Sequence, residues 1–136
     1  MAIQKRSKAL KISVWVVQIL LSLTFLYAGF MKLFLPEDLP WLWIQENTEL
    51  VWISGVVDML AGLGLTLPSL LRILPKLTVY AAFGSMVLML SAILFHVLRG
   101  EGDQIGFNVF IFICAAFVVW GRGKKYPIEL ANRPFK

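Results

Sequence analysis

Four apolar runs, separated by short connections that hold nearly all of the charge, constrain this chain more than any other feature. They are Ile12–Leu35, Val51–Leu67, Leu77–Leu98 and Ile105–Trp120. A helix needs about 20 apolar residues to cross a hydrocarbon core ~30 Å thick, with about 17 near the lower limit. The first and third runs reach the usual length. The second and fourth lie near the limit, where Leu50 and small flanking residues extend them. In lipid a segment must satisfy its own backbone polar groups, so such runs become helices rather than open strands. The chain is 59% hydrophobic, against roughly 45–50% in soluble domains. The expected fold is all-α: an integral membrane four-helix bundle, one four-span domain over residues 1–136.

The connections carry an orientation signal. Lys5, Arg6, Lys8 and Lys11 precede the first run with no acid among them. The Pro36–Leu50 connection holds Glu37, Asp38, Glu46 and Glu49 and no base, and the next holds Arg72 and Lys76. The third sets Arg99 against Glu101 and Asp103, and the segment 121–136 contributes Arg122, Lys124, Lys125, Arg133 and Lys136. Basic residues alternate by side, and the positive-inside rule then puts both termini of a multi-pass membrane protein in the cytoplasm. The net charge of +5 is thereby accounted for as topology signals flanking apolar runs; no nucleic-acid partner is expected. The first run is too long for the h-region of a signal peptide and no A-x-A pattern closes it, so it is expected to be retained as a span. A single cysteine, Cys114, excludes an intramolecular disulfide or a CxxC relay and reads as a small buried residue.

Within the second run stands one carboxylate, Asp58. A charge at membrane depth costs about 2.5–3.5 kcal/mol on insertion scales, so a partner or a function is expected of it. Gly55, Asp58 and Gly62 fall at i, i+3 and i+7 on one helical face, where small residues let another backbone approach. At a rise of 1.5 Å per residue, Lys32, Asp58, His96 and Asn108, one from each run, all lie within ~12 Å of the outer surface. Small residues, Ala28 and Gly29 in the first run and Ala81, Ser85 and Ala92 in the third, lie beneath Lys32 and His96. The Pro36–Leu50 connection is too interrupted by proline to span; Trp41 and Trp43 suit the headgroup zone and would cover the cluster. Pro68 and Pro75 bracket a short, partly helical inner turn.

Each of these residues has a structural reading as well. Lys32 can snorkel to the headgroups, His96 can be a hydrogen-bonded interfacial residue, and Asn108 can be interhelical glue. As a lone histidine, His96 supports neither a bis-histidine haem nor a zinc site within the chain, and no metal is expected.

Three segments, LYAGFMKLF, GVVDMLAGLGLTLP and SAILFHV, resemble the DoxX-like family of small four-helix bacterial membrane proteins over about Ser13 to Trp120. Gly29 and Lys32 match the family's glycine and lysine of the first span, and Asp58 stands where an acidic residue, commonly glutamate, is usual. The resemblance implies a multi-pass protein of the bacterial cytoplasmic (inner) membrane and an association with membrane oxidoreduction, as in a quinone-linked thiosulfate oxidation subunit and an oxidative-stress complex.

Three functions are compatible with these residues. One is a quinone- or lipid-binding accessory of oxidoreduction. Its ligand site would comprise Lys32, Asp58, His96, Asn108 and Tyr27, with Gly55, Asp58 and Gly62 as a floor left open by the glycines, and Asp58 or His96 as candidate catalytic proton carriers. The second is a proton-coupled small-molecule carrier using Asp58, for which a homodimer is the architectural analogue. The third is a non-catalytic helper packed against a membrane or redox partner protein. The geometry predicted first is that Lys32 and Asp58 pair.

Overall fold

The computed structural model describes residues 2–131; Arg133 and Lys136 of the basic tail lie outside the described residues. Its elements are helical throughout: α1 (Ala2–Phe34), α2 (Leu42–Glu46), α3 (Thr48–Leu71), α4 (Lys76–Leu98) and α5 (Gly106–Trp120), with single 3-10 turns at Pro36–Asp38 and Gly102–Gln104. A π-helical turn, Gly121–Lys125, continues α5. Four helices are long and apolar enough to cross a membrane, α1, α3, α4 and α5 with its π turn. The all-α four-helix expectation therefore holds.

The helices pack in a ring: α1 lies most extensively on α3, α3 on α4, α4 on α5, and α5 closes back on α1. Their shared core is Leu21, Phe25, Leu65, Ala82, Met89, Ile111, Ala115 and Val118. At most 28% of any spanning window is buried, while Leu20, Leu60, Phe83 and Phe110 point outwards. A bundle apolar on both its inner and outer faces is built to contact lipid. At 33 residues, α1 is about 50 Å long, which carries its first turns, with their basic residues, beyond a ~30 Å hydrocarbon core.

The closest seam is between α1 and α3, and glycine makes it possible. A Cβ on Gly29 would stand 2.8 Å from the Gly55 carbonyl oxygen and 2.9 Å from the Met59 nitrogen, so the two backbones nearly touch there. Side chains stitch the same seam. The Ser22 hydroxyl donates to the Gly62 carbonyl at 2.6 Å, and Gln18 Nε2 donates to the Leu65 carbonyl at 2.5 Å. In lipid, where helices gain nothing by hiding from water, close van der Waals approach and interhelical hydrogen bonds of this kind drive association.

The turn between α3 and α4 differs from expectation. Pro68 does not open it; the ring sits inside α3, which runs on to Leu71. Proline lacks only the donor for the Gly64 carbonyl, and spanning helices tolerate that loss when neighbours pack around it. The chain turns instead at Arg72 and Leu74, both with left-handed φ (55° and 47°). That conformation is uncommon for side-chain-bearing residues, and Arg72 is clasped by the carboxy-terminal segment: its Nε donates to the Glu129 carbonyl at 3.0 Å and its own carbonyl accepts from the Ala131 N–H at 3.1 Å. Behind the turn, Ser69 and Thr78 share a buried hydrogen bond of 2.7 Å that ties α3 to α4.

Candidate functional site

The end of the bundle opposite the termini gathers the residues singled out by depth. Lys32 in the last turn of α1 donates from Nζ to Asp58 Oδ2 on α3 at 2.7 Å; the side chains are 15% and 4% exposed. The burial excludes bulk water and makes the pair the polar lock at the top of the α1–α3 seam. Trp43 of α2 lies over Lys32, with Nζ 5.7 Å from the ring centroid. The same indole meets Phe95 edge-on at 5.7 Å, and Phe95 in turn meets the His96 imidazole edge-on at 5.6 Å. Two aromatic rings, Trp43 and Phe95, thus link the cation of α1 to the imidazole of α4, a favourable arrangement for both the quadrupole and the charge.

His96 is held from a direction not foreseen. Its Nδ1 lies 2.8 Å from Glu101 Oε2, in the connection that follows α4. Arg99 Nε donates to Glu101 Oε1 at 3.2 Å, and Arg99 Nη2 reaches back to Glu46 Oε2 on α2 at 2.9 Å. The His96 hydrogen bond, followed by Arg99, holds the Glu101 carboxyl below its ordinary value of 4.5. An ionised carboxylate can only accept, so it fixes the imidazole proton on Nδ1 and leaves Nε2 as the other working nitrogen. Glu46, Arg99 and Glu101 carried only a topology signal as sequence; the loops fold so that they clamp α2 onto the end of α4.

Four expectations are corrected. Tyr27 is no wall of this site. It is 66% exposed, on the lipid-facing side of α1, because the inward stripe of that helix runs through Ser22, Phe25 and Gly29. The glycines of α3 leave no open floor: a Cβ on Gly62 would meet Leu26 Cγ at 2.6 Å, and one on Gly55 would meet Leu33 and Lys32 at 3.0–3.1 Å. Helix α1 already occupies that volume. Trp41, 43% exposed, stands at the edge, so Trp43 alone covers Lys32. Asn108, half-buried near the start of α5, takes no part in either the Lys32–Asp58 or the His96–Glu101 pair.

A second polar cluster, near the ends that carry the termini, was not anticipated. Gln18 is fully buried in α1, and Arg122, in the π turn, is 5% exposed. Arg122 Nε donates to Gln18 Oε1 at 2.7 Å and Nη1 to the Tyr126 carbonyl at 3.1 Å, while the guanidinium lies 4.4 Å from the Trp15 ring centroid. Gln18 is oriented unambiguously, because one end meets a carbonyl and the other a guanidinium. The π turn is what aims Arg122 inward: it adds a residue to the last turn, and Gly121 packs so closely that a Cβ would lie 2.6 Å from Val14 Cγ2. Among the described residues Nη2 has no partner and no carboxylate meets this cation. An uncompensated buried charge costs several kcal/mol, so the cluster is held in place by the surrounding fold. The signal available in the sequence was Gln18, the one carboxamide inside the first apolar run.

Among the described residues no three His, Cys, Asp or Glu side chains gather as a metal site would require. A family model described as the DoxX-like family matches residues 16–118. No curated protein and no solved structure matches the chain.

Proposed function

The chain belongs to the DoxX-like family, and on that premise we propose that it is an inner-membrane accessory of oxidoreduction that binds a quinone, or a lipid of similar polarity, at the Trp43 end of the bundle. Both termini face the cytoplasm in this reading, which places the site in the outer leaflet. The observation that carries it is Trp43, lying over Lys32 and against Phe95, next to His96. A flat ring with carbonyl oxygens needs an aromatic surface and a few directed donors, the usual composition of a small-molecule site. Here Lys32 supplies the ammonium and His96 the imidazole, whose Nδ1 is braced by Glu101 so that Nε2 can exchange a proton with a ligand oxygen. Because α1 fills the space beside Gly55 and Gly62, the ligand sits on the His96 side of Trp43. The electrons of any reaction come from a partner oxidoreductase; the role of this chain is to hold, orient and protonate.

The test is extraction and mass spectrometry of quinones and lipids from purified wild type and from His96→Leu, Asn108→Leu and Trp43→Ala. Loss of a stoichiometric quinone in His96→Leu and Trp43→Ala supports the reading. If the variants stay folded and keep the wild-type complement, binding at this end is to be abandoned. A second reading, a helper that packs on a membrane partner, is favoured by the closed glycine seam and the self-neutralised Lys32–Asp58 pair. A partner recovered at fixed stoichiometry without any copurifying quinone selects it.

A further inference from the structure

We propose that the cavity beside Arg122, near the ends that carry the termini, binds the phosphate headgroup of an anionic phospholipid. The cavity has a volume of about 530 Å³, bounded on one side by Lys76, Leu77 and Tyr80 of α4, on the other by the Pro127–Leu130 segment, with Arg122 in its wall. That volume is in the range of small-molecule sites, about 300–1,000 Å³. Two cations, Arg122 and Lys76, face it against one carboxylate, Glu129.

Arg122 supplies the reason for an anion. Its guanidinium is permanently charged, it is 5% exposed, and among the described residues Nη2 lacks a partner. Positions 132–136 read NRPFK and add no acidic side chain that could neutralise it. Two of its nitrogens are spent on neutral acceptors, Gln18 and the Tyr126 carbonyl, so the guanidinium charge is left unneutralised in the wall of the cavity, and a phosphate there supplies the matching anion.

The surroundings decide for a lipid rather than a free anion. Leu77 and Tyr80 are 47% and 67% exposed on the outside of α4, so the mouth of the cavity continues onto an apolar, lipid-facing strip along which acyl chains would lie. The neighbouring Lys124 and Lys125 add positive charge at the same level, as headgroup-binding surfaces between spanning helices do. The Pro127–Leu130 wall is itself pinned by Arg72, which donates to the Glu129 and Leu130 carbonyls.

The experiment uses the full chain in a neutral detergent, titrated with phosphatidylglycerol or phosphatidylcholine, with bound lipid counted by native mass spectrometry. One phosphatidylglycerol per chain is expected, held about tenfold more tightly than phosphatidylcholine. Arg122→Gln should weaken it about tenfold and Lys76→Gln about threefold, while Lys5→Gln, the same charge change away from the cavity, leaves it unaltered. If circular dichroism shows that Arg122→Gln does not fold, Lys76→Gln against Lys5→Gln and the headgroup preference decide. Equal binding of the two lipids, equal loss in Lys76→Gln and Lys5→Gln, or displacement of the lipid by millimolar inorganic phosphate each overturn the assignment.

Discussion

The Lys32–Asp58 pair offers the sharpest test of how this bundle is held together. In Lys32→Met, Asp58 is left at 4% side-chain exposure with no counter-ion. Removing one partner of a buried pair costs about 3–5 kcal/mol. Asp58→Asn should cost less, about 1–2 kcal/mol, since the amide oxygen still accepts from Nζ and only the charge assistance of one bond is lost. Lys32, at 15% exposure near the end of α1, also has a stem long enough to lift its ammonium towards the interface. The double variant leaves no uncompensated charge, only an amide short of a partner, about 1–3 kcal/mol. With central values of about 4, 1.5 and 2 kcal/mol, the singles sum to roughly 5.5 and exceed the double by about 3.5 kcal/mol, a coupling energy larger than most. Unfolding in mixed micelles with increasing denaturing detergent, followed by circular dichroism, measures all four proteins in one assay. Losses additive to within about 0.5 kcal/mol would show that the two side chains do not support one another. A larger loss in Asp58→Asn than in Lys32→Met would refute the reasoning about which charge can escape.

Other consequences can be measured with the same protein. Gly29→Ala, which drives a methyl into the Gly55 and Met59 backbone, should destabilise by about 1–3 kcal/mol. Gly84→Ala, which meets nothing within 4 Å, should be neutral or stabilise by about 0.5–1 kcal/mol in the same micelle assay. Because its hydrogen bond to His96 and then Arg99 depress the Glu101 carboxyl below 4.5, its contribution is complete above that value and is lost as pH falls through the lower, folded one. Thermal unfolding followed from neutral pH down through the carboxylate range should therefore show Glu101→Gln losing less than wild type, and parallel curves would remove Glu101 from the account. A reporter enzyme fused after Lys136 should read as cytoplasmic, as should one fused at the amino terminus; a periplasmic signal at either end would overturn the orientation.

The residues at the Trp43 end show how far depth alone carries an argument. Counting helical rise put Lys32 and Asp58 within about 6 Å of one another along the membrane normal, and they do pair. Tyr27, expected as a wall of the same ligand site, instead points outwards. Depth is a coordinate along the helix axis, whereas whether a side chain looks inward depends on rotation about it. In a soluble helix the apolar stripe reveals that rotation; in a span, lipid and core are both apolar, and the stripe carries little information.

Legible in the sequence alone were the four apolar helices, their family, the charge asymmetry of their connections and the one intramembrane carboxylate in need of a partner. The family rests on short motifs; the helices, the charge asymmetry and the carboxylate follow from local composition, because lipid forces every span to satisfy its own backbone and makes each buried charge conspicuous. Only the tertiary structure decided that the glycines of α3 are filled by α1 rather than left open, that Glu101 and not a ligand braces His96, and that Gln18 and a π turn draw Arg122 beneath the surface. These depend on which helix lies against which and at what rotation, a choice made by van der Waals fit and interhelical hydrogen bonds between segments far apart in the chain, where hydropathy is blind.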